Sequence, residues 1–308
     1  AHPAGRAMGA GAERLSEAFL AHVHGDNARV RELARQAAAL YDKAQPQSQA
    51  GKLERLEGMA RRSQGLLGAG RLDDAERYAQ SSLAYFRTRP EDQAIRDEFF
   101  AAACNYVLAE TYRTRGEQLA FPEGLEPQKE VLLRRAELLL QAQREYFNTI
   151  SFQNLDNIHW AAASGYRIGH MYDELWHAIM AAPVPANLRG EGEAAYRKEL
   201  AKLVKPLVRH AVRYFEMTQM FIERTGMKTT WAEKTKSDLD RVRALLLEQP
   251  EGPGGLPPAG EAQTPAAPPG PEAPPREPAA RTRSQAKEAA PQDPASSPSP
   301  TAASTLAP

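Results

Sequence analysis

The chain has 308 residues, of which 42% are hydrophobic and 25% are charged, so it is long enough to fold around a buried core. Lysine plus arginine equals aspartate plus glutamate at 39 residues each, and this balance excludes a global field that would attract nucleic acid or an anionic membrane. The single cysteine, Cys104, excludes an intramolecular disulfide and a cysteine-rich zinc site.

Composition divides the chain into a flexible N-terminus (1–10), an ordered body (11–249) and a tail (250–308). From Glu251 onward the tail contains 15 of the 24 prolines and no aromatic residue, so we expect this Pro/Ala-rich segment to be disordered. No apolar run approaches the ~20 residues that span a bilayer, so we expect no direct membrane insertion.

In the body, apolar residues recur at three- and four-residue spacing, which predicts an all-α fold. Segments rich in Gly, Pro, Asp or Asn, such as "GAGRLDD" (68–74) and "APVPAN" (182–187), separate the periodic stretches. In chain order the predicted helices are 11–23, 28–44, 51–68, 72–87, 93–116, 128–149, 155–181, 192–204, 206–225 and 231–248. Short connections between helices indicate antiparallel pairs, arranged either as a bundle or as a solenoid.

A repeated pattern of small and large residues favours the solenoid. The repeated positions are Ser63 with Leu66, Ala109 with Tyr112, and Gly169 with Tyr172. The small residue lets paired helices approach closely, and Ala211 and Phe215 are predicted on the helix that pairs with the third copy. The copies stand 46 and 60 residues apart, beyond the ~34 of a regular array. We therefore expect elongated helices and insertions.

The turn "GRLDDAERYA" resembles the tetratricopeptide family. The long helices between about Leu53 and Leu247, with "GYRIGHMYDELWHAIMAAPVP" and the "AAYRKELAKLVKPLVRHAVRYFEM" that follows, resemble tetratricopeptide proteins of the myxobacterial cell envelope, including those of gliding motility. The resemblance implies a helical-hairpin solenoid that acts as a protein-interaction scaffold in a cell-envelope or motility complex. The last predicted helix, 231–248, has a strongly charged face that suits a capping helix. Because the sequence begins with Ala1, we expect a periplasmic or envelope location if a leader has been removed, and a cytoplasmic one otherwise.

The resemblance also implies a set of groove residues, because the first helix of each tetratricopeptide pair lines the concave surface. The groove candidates are Tyr106, Glu110, Arg113, Thr114, Tyr166, His170, Asp173 and Glu174. Aromatic, acidic and basic side chains on neighbouring helices are what a peptide or a partner protein needs for contact and orientation. Simple solvent exposure of polar helix faces explains the same pattern equally well.

Two alternatives remain open at this stage. His170, Glu174 and His177 have the spacing of a metal-dependent helical enzyme, although on a helix they face away from its apolar side and no second Glu-x-x-His is present in the body. A purely structural helical bundle is the other alternative. The chain has no Gly-x-Gly-x-x-Gly or Walker-type loop, so we predict no cofactor.

Overall fold

The computed structural model describes residues 3–23, 26–44, 52–87, 98–152 and 157–248. These residues are helical and include no strand, which confirms the all-α prediction for this part of the chain. The helices are α1 (Pro3–Val23), α2 (Asn27–Ala44), α3 (Lys52–Gly68), α4 (Leu72–Arg87), α5 (Phe99–Glu117), α6 (Leu125–Ile150), α7 (Ile158–Met180), α8 (Glu191–Thr225) and α9 (Thr230–Glu248), with a short 3₁₀ turn at Ala186–Leu188. The predicted disordered tail lies outside the described residues, as do positions 51, 93–97, 155 and 156 of three predicted helices.

Two helix ends differ from the predictions and involve proline. The first helix begins at Pro3, inside the segment predicted to be flexible, because proline at the first helical position has a suitable φ and lacks only an N–H that would have no partner there. The predicted break at Pro206 is wrong, since α8 runs unbroken from Glu191 to Thr225 with Pro206 inside it. Ala201 before the proline and Val208 after it are both buried, so tertiary packing offsets the missing hydrogen bond.

Consecutive helices pack against one another in series along the chain. Each of α1 to α8 contacts the next helix, and further contacts join α1 with α3, α3 with α5, α5 with α7, and α7 with α9. The odd-numbered helices therefore form one continuous layer, and each even-numbered helix packs beside its two neighbours. This order places α7 in contact with α5, α6, α8 and α9.

Small residues stand where the repeated pattern predicts close helix contacts. Ser63 and Ala109 are fully buried. A Cβ added to Gly169 would lie 2.8 Å from Cδ1 of Phe215, closer than real side chains approach. The close contact between α7 and α8 therefore requires a residue without a side chain at position 169. The predicted pairing of Gly169 with the helix that carries Phe215 is thereby confirmed.

Candidate functional site: a buried charge network and a cleft between α5, α6 and α7

Glu110 lies at the centre of a buried charge network on α5. Its side chain is 8% exposed and binds Arg113 at 2.9 Å and Arg167 of α7 at 3.0 Å, while the hydroxyl of Tyr146 on α6 donates to Oε1. Burial acts to raise the pKa of Glu110, but Arg113 and Arg167, with hydrogen bonds from Arg113 and Tyr146, outweigh it and lower the pKa to about 2. The carboxylate therefore stays ionised and ties α5 to both α6 and α7.

Tyr106 is part of the same network. Its hydroxyl accepts a hydrogen bond of 3.4 Å from Nε of Arg167, and its ring packs edge-on against Tyr146, with centroids 5.7 Å apart, and beside Trp160 at 5.2 Å. Burial and the neighbouring carboxylate of Glu110 raise the pKa of Tyr106 to about 12. The phenol is a neutral packing group that supports the ion pairs.

A second buried carboxylate ties α7 to α9. Asp173 accepts two hydrogen bonds from Arg241, at 3.2 and 2.6 Å, and is almost fully buried. Close by, the hydroxyl of Tyr166 donates to Oδ2 of Asp238 at 2.8 Å, and its ring lies 5.2 Å from that of Trp231. Both side chains of α7 therefore point toward α9 and not toward solvent.

These contacts place four of the groove candidates within the helix packing. Glu110, Tyr166 and Asp173 are buried and bonded within the chain, and Tyr106 is half-buried in an aromatic cluster. The physical reason is that helices packed later in the chain supply partners for them. A polar side chain on the outer face of one isolated helix becomes an inner one when a third helix covers it. Their part in partner binding stays a prediction.

Arg113 and Glu174 do line a cleft between α5, α6 and α7. The cleft has a volume of about 150 Å³, with apolar walls and charged groups at its edge. Its lining residues are Arg113, Gly116, Glu117, Arg135, Leu139, Met171, Glu174, Leu175 and Ala178. This size and lining can hold one apolar side chain of a peptide and orient its polar end.

Thr114 and His170 lie on the same helices but not among the lining residues of the cleft. Both are half-buried. Burial, followed by the cation of Arg167, lowers the pKa of His170 below its ordinary value, although Glu174 opposes the shift. The imidazole is therefore neutral at pH 7, and its Nε2 lies 3.7 Å from Oε1 of Glu174.

The geometry gives the metal alternative no support. His170 faces Glu174, whereas Nε2 of His177 lies 3.5 Å from Oδ1 of Asp173, which Arg241 already binds. Across the ranges that the structure describes, no three His, Cys, Asp or Glu side chains are grouped so that they could hold a metal ion.

Arg135 and Arg167 are site residues that the sequence did not indicate. Arg135 of α6 donates to the carbonyl oxygens of Gly116 and Glu117 at 2.9 and 3.1 Å, so it caps the C-terminal end of α5 at the cleft edge. Both arginines act across helix pairs, and the periodicity of a single helix carries no signal for such contacts.

Comparison with known protein families finds no family that matches the chain, and comparison with curated protein sequences finds no match either. Among the described helices, none combines the length and the apolar character needed to cross a membrane. The described residues define an all-helical fold whose helices pack in series.

Proposed function

We propose that this protein is a non-catalytic interaction scaffold that binds a peptide or a partner protein at the cleft between α5, α6 and α7. The observation that carries the proposal is the cleft itself, because Arg113 and Glu174, two of the residues expected to bind a partner, stand at its edge above apolar walls. Leu139, Met171 and Leu175 supply contact area, and the exposed charge of Glu174 supplies orientation.

The proposed architecture is a tetratricopeptide-like solenoid of helical hairpins. The continuous layer of odd-numbered helices supports it, since the first helix of each pair in such arrays contacts the first helix of the next pair. The repeated positions stand farther apart than in tetratricopeptide arrays, and α8 alone has 35 residues. The helices of the proposed solenoid are therefore longer than those of a regular tetratricopeptide repeat. The resemblance to envelope proteins makes a cell-envelope complex our proposed setting for the scaffold.

The proposed binding mode is an apolar side chain inserted between α6 and α7, with a cation of the partner beside Glu174. Glu174 is exposed and its near neighbour His170 is neutral. Arg135 of the same cleft acts on Glu174 electrostatically but donates its hydrogen bonds to the end of α5, so the carboxylate can accept a cation of a partner. Arg113, in contrast, is engaged by Glu110 and Glu117. We therefore expect the partner segment to combine a leucine- or methionine-like residue with a basic residue.

Affinity capture with the full chain, read by quantitative mass spectrometry, tests this proposal. Two variants alter the cleft in different ways: Ala178→Leu fills it and Glu174→Lys reverses its exposed charge. Glu233→Lys is the matched control, because Glu233 is an exposed glutamate on α9 that is part of neither the cleft lining nor α6. Loss of the same partner in both cleft variants, with the control and the melting temperature unchanged, supports the proposal. Equal capture by all three variants refutes it.

A further inference from the structure

Helix α6 exposes a stripe of large apolar side chains. Leu133, Leu140 and Phe147 are 68%, 62% and 42% exposed, and they are spaced seven residues apart. Each step of seven rotates the position by only about 20°, so the three side chains lie on one side of the helix. Single exposed leucines are ordinary, but an aligned set over several turns marks a surface that contacts something else.

Helix α8 carries a matching stripe. Leu203 and Met217 are 69% and 47% exposed, and the half-buried His210 lies midway between them at the same seven-residue spacing. Met220 extends the exposed apolar surface by one turn. The exposed apolar side chains Leu203 and Met217 of α8 are thus fourteen residues apart, which is two steps of the α6 spacing.

Aromatic contacts bring the two stripes together above α7. The ring of Tyr214 on α8 lies 6.3 Å from that of Phe147, and its hydroxyl accepts a hydrogen bond of 3.2 Å from Gln143 of α6. Beneath them Tyr172 of α7 stacks on Tyr214 at 5.7 Å and on His210 at 5.0 Å, and donates to Gln143 at 2.8 Å. We call this surface the α6–α8 groove. Its base is formed by Tyr172 and Tyr214, and its two sides are formed by Leu133, Leu140 and Phe147 of α6 and by Leu203 and Met217 of α8.

Cations flank the groove on its solvent side. Arg144 stands three residues before Phe147, and Arg213 stands four residues before Met217, so each is a surface neighbour of a stripe residue. Arg144 is 69% exposed and its Nε binds Glu145 at 3.2 Å, so Arg213, which is also exposed, is the more important of the two cations. Nearby acids are engaged within the protein, since Glu137 binds Arg134, Glu199 binds Lys202 and Glu216 binds Arg243. An occupant with acidic flanks therefore fits this surface better than one with basic flanks.

We propose that the α6–α8 groove docks an amphipathic helix of a partner protein, with apolar residues at heptad spacing and acidic residues on its flanks. The apolar side chains of the two stripes are spaced at multiples of seven residues, which matches the side chains on one face of a partner helix. An extended strand would not match, because its side chains alternate with period two. The span from Leu133 to Phe147 is about 21 Å at the helical rise per residue, which suits a partner helix of roughly four turns. This surface is separate from the cleft, so the inference does not depend on the proposed function.

The test uses a synthetic helix of about 18 residues, with leucine at heptad positions a and d and glutamate on the flanks, titrated against the full chain by fluorescence anisotropy. The groove variants are Leu140→Glu and Met217→Glu. Leu247→Glu is the matched control, because Leu247 is an 87% exposed leucine on α9, away from the groove. We expect saturable binding that each groove variant weakens about tenfold or more and that the control leaves unchanged. The cleft variant Glu174→Lys should bind this helix normally, which separates the two proposals.

Several results would overturn the inference. No saturable binding, equal binding by Leu140→Glu and Leu247→Glu, or equal affinity for a helix with lysine on its flanks would each contradict it. Sedimentation showing a dimer that Leu140→Glu converts to monomer would assign the groove to a second copy of the chain. Binding to anionic vesicles that Leu140→Glu abolishes would assign it to a lipid surface.

Discussion

Substitution of Glu110 by glutamine should destabilise the protein by about 3 kcal/mol at pH 7. The magnitude follows from the lowering of the pKa of Glu110 from 4.5 to about 2, at about 1.4 kcal/mol per unit. Glutamine keeps an acceptor for the Tyr146 hydroxyl and mimics the protonated acid, so it removes the charge that Arg113 and Arg167 bind. Both guanidinium groups then remain buried without their carboxylate, which is costly.

The effect of this substitution should depend on pH with a defined sign. Because the pKa of Glu110 is lower in the folded chain, its contribution is fully present above about pH 4.5 and is lost as the pH falls toward 2. At pH 3 the difference between the wild type and Glu110→Gln should shrink to about 1 kcal/mol.

Urea unfolding of the full chain, followed by far-ultraviolet circular dichroism at pH 7 and pH 3, measures both values. Glu117→Gln is the control, since Glu117 also binds Arg113 but is 38% exposed, and an exposed pair contributes less than about 1 kcal/mol. If Glu110→Gln costs no more than the control at pH 7, or costs the same at both pH values, the buried network described for Glu110 is wrong.

Two further predictions concern α7. Gly169→Ala should destabilise the protein by about 1–3 kcal/mol in urea unfolding, because the new Cβ meets the ring of Phe215. Gly9→Ala is the control and should stabilise the protein by about 0.5–1 kcal/mol, since a Cβ at Gly9 would have nothing within 4 Å. An increase in stability on Gly169→Ala would contradict the close approach of α7 and α8. The imidazole of His170 should titrate below 6.5 by NMR, so that this group lowers stability as the pH falls below 6.5; a midpoint at or above that value would contradict its burial beside Arg167.

The sequence predicts helix ends well where the signal is local. The predicted helices 51–68 and 72–87 differ by at most one residue from Lys52–Gly68 and Leu72–Arg87, because Gly70 adopts a left-handed φ of 76° that ends the helix without strain. The break expected at Pro206 fails for the opposite reason. Its local signal is strong, but residues from other helices bury both sides of the proline and decide the outcome.

The site is only partly predictable for a related reason. Small residues such as Gly169 reveal helix contacts because close packing constrains residue size at the position itself. The sequence does not distinguish a carboxylate that water solvates from one, such as Glu110, that buried arginines bind. Its partners Arg167 and Tyr146 lie 57 and 36 residues away, and no spacing rule within one helix connects them. Arg113 and Glu174 line the cleft, and their part in partner binding stays a prediction.

The buried charges follow the same order as the layer of odd-numbered helices. Glu110 of α5 binds Arg167 of α7, and Asp173 of α7 binds Arg241 of α9, so each carboxylate holds an arginine of the next helix in the layer. Interfaces of small side chains alone specify helix register weakly, whereas a buried ion pair with fixed hydrogen bonds tolerates little sliding. We infer that these pairs set the register of α5, α7 and α9. Because Arg113 and Glu174 reach the cleft from α5 and α7, the register that Glu110 fixes also fixes the distance between these two residues of the lining.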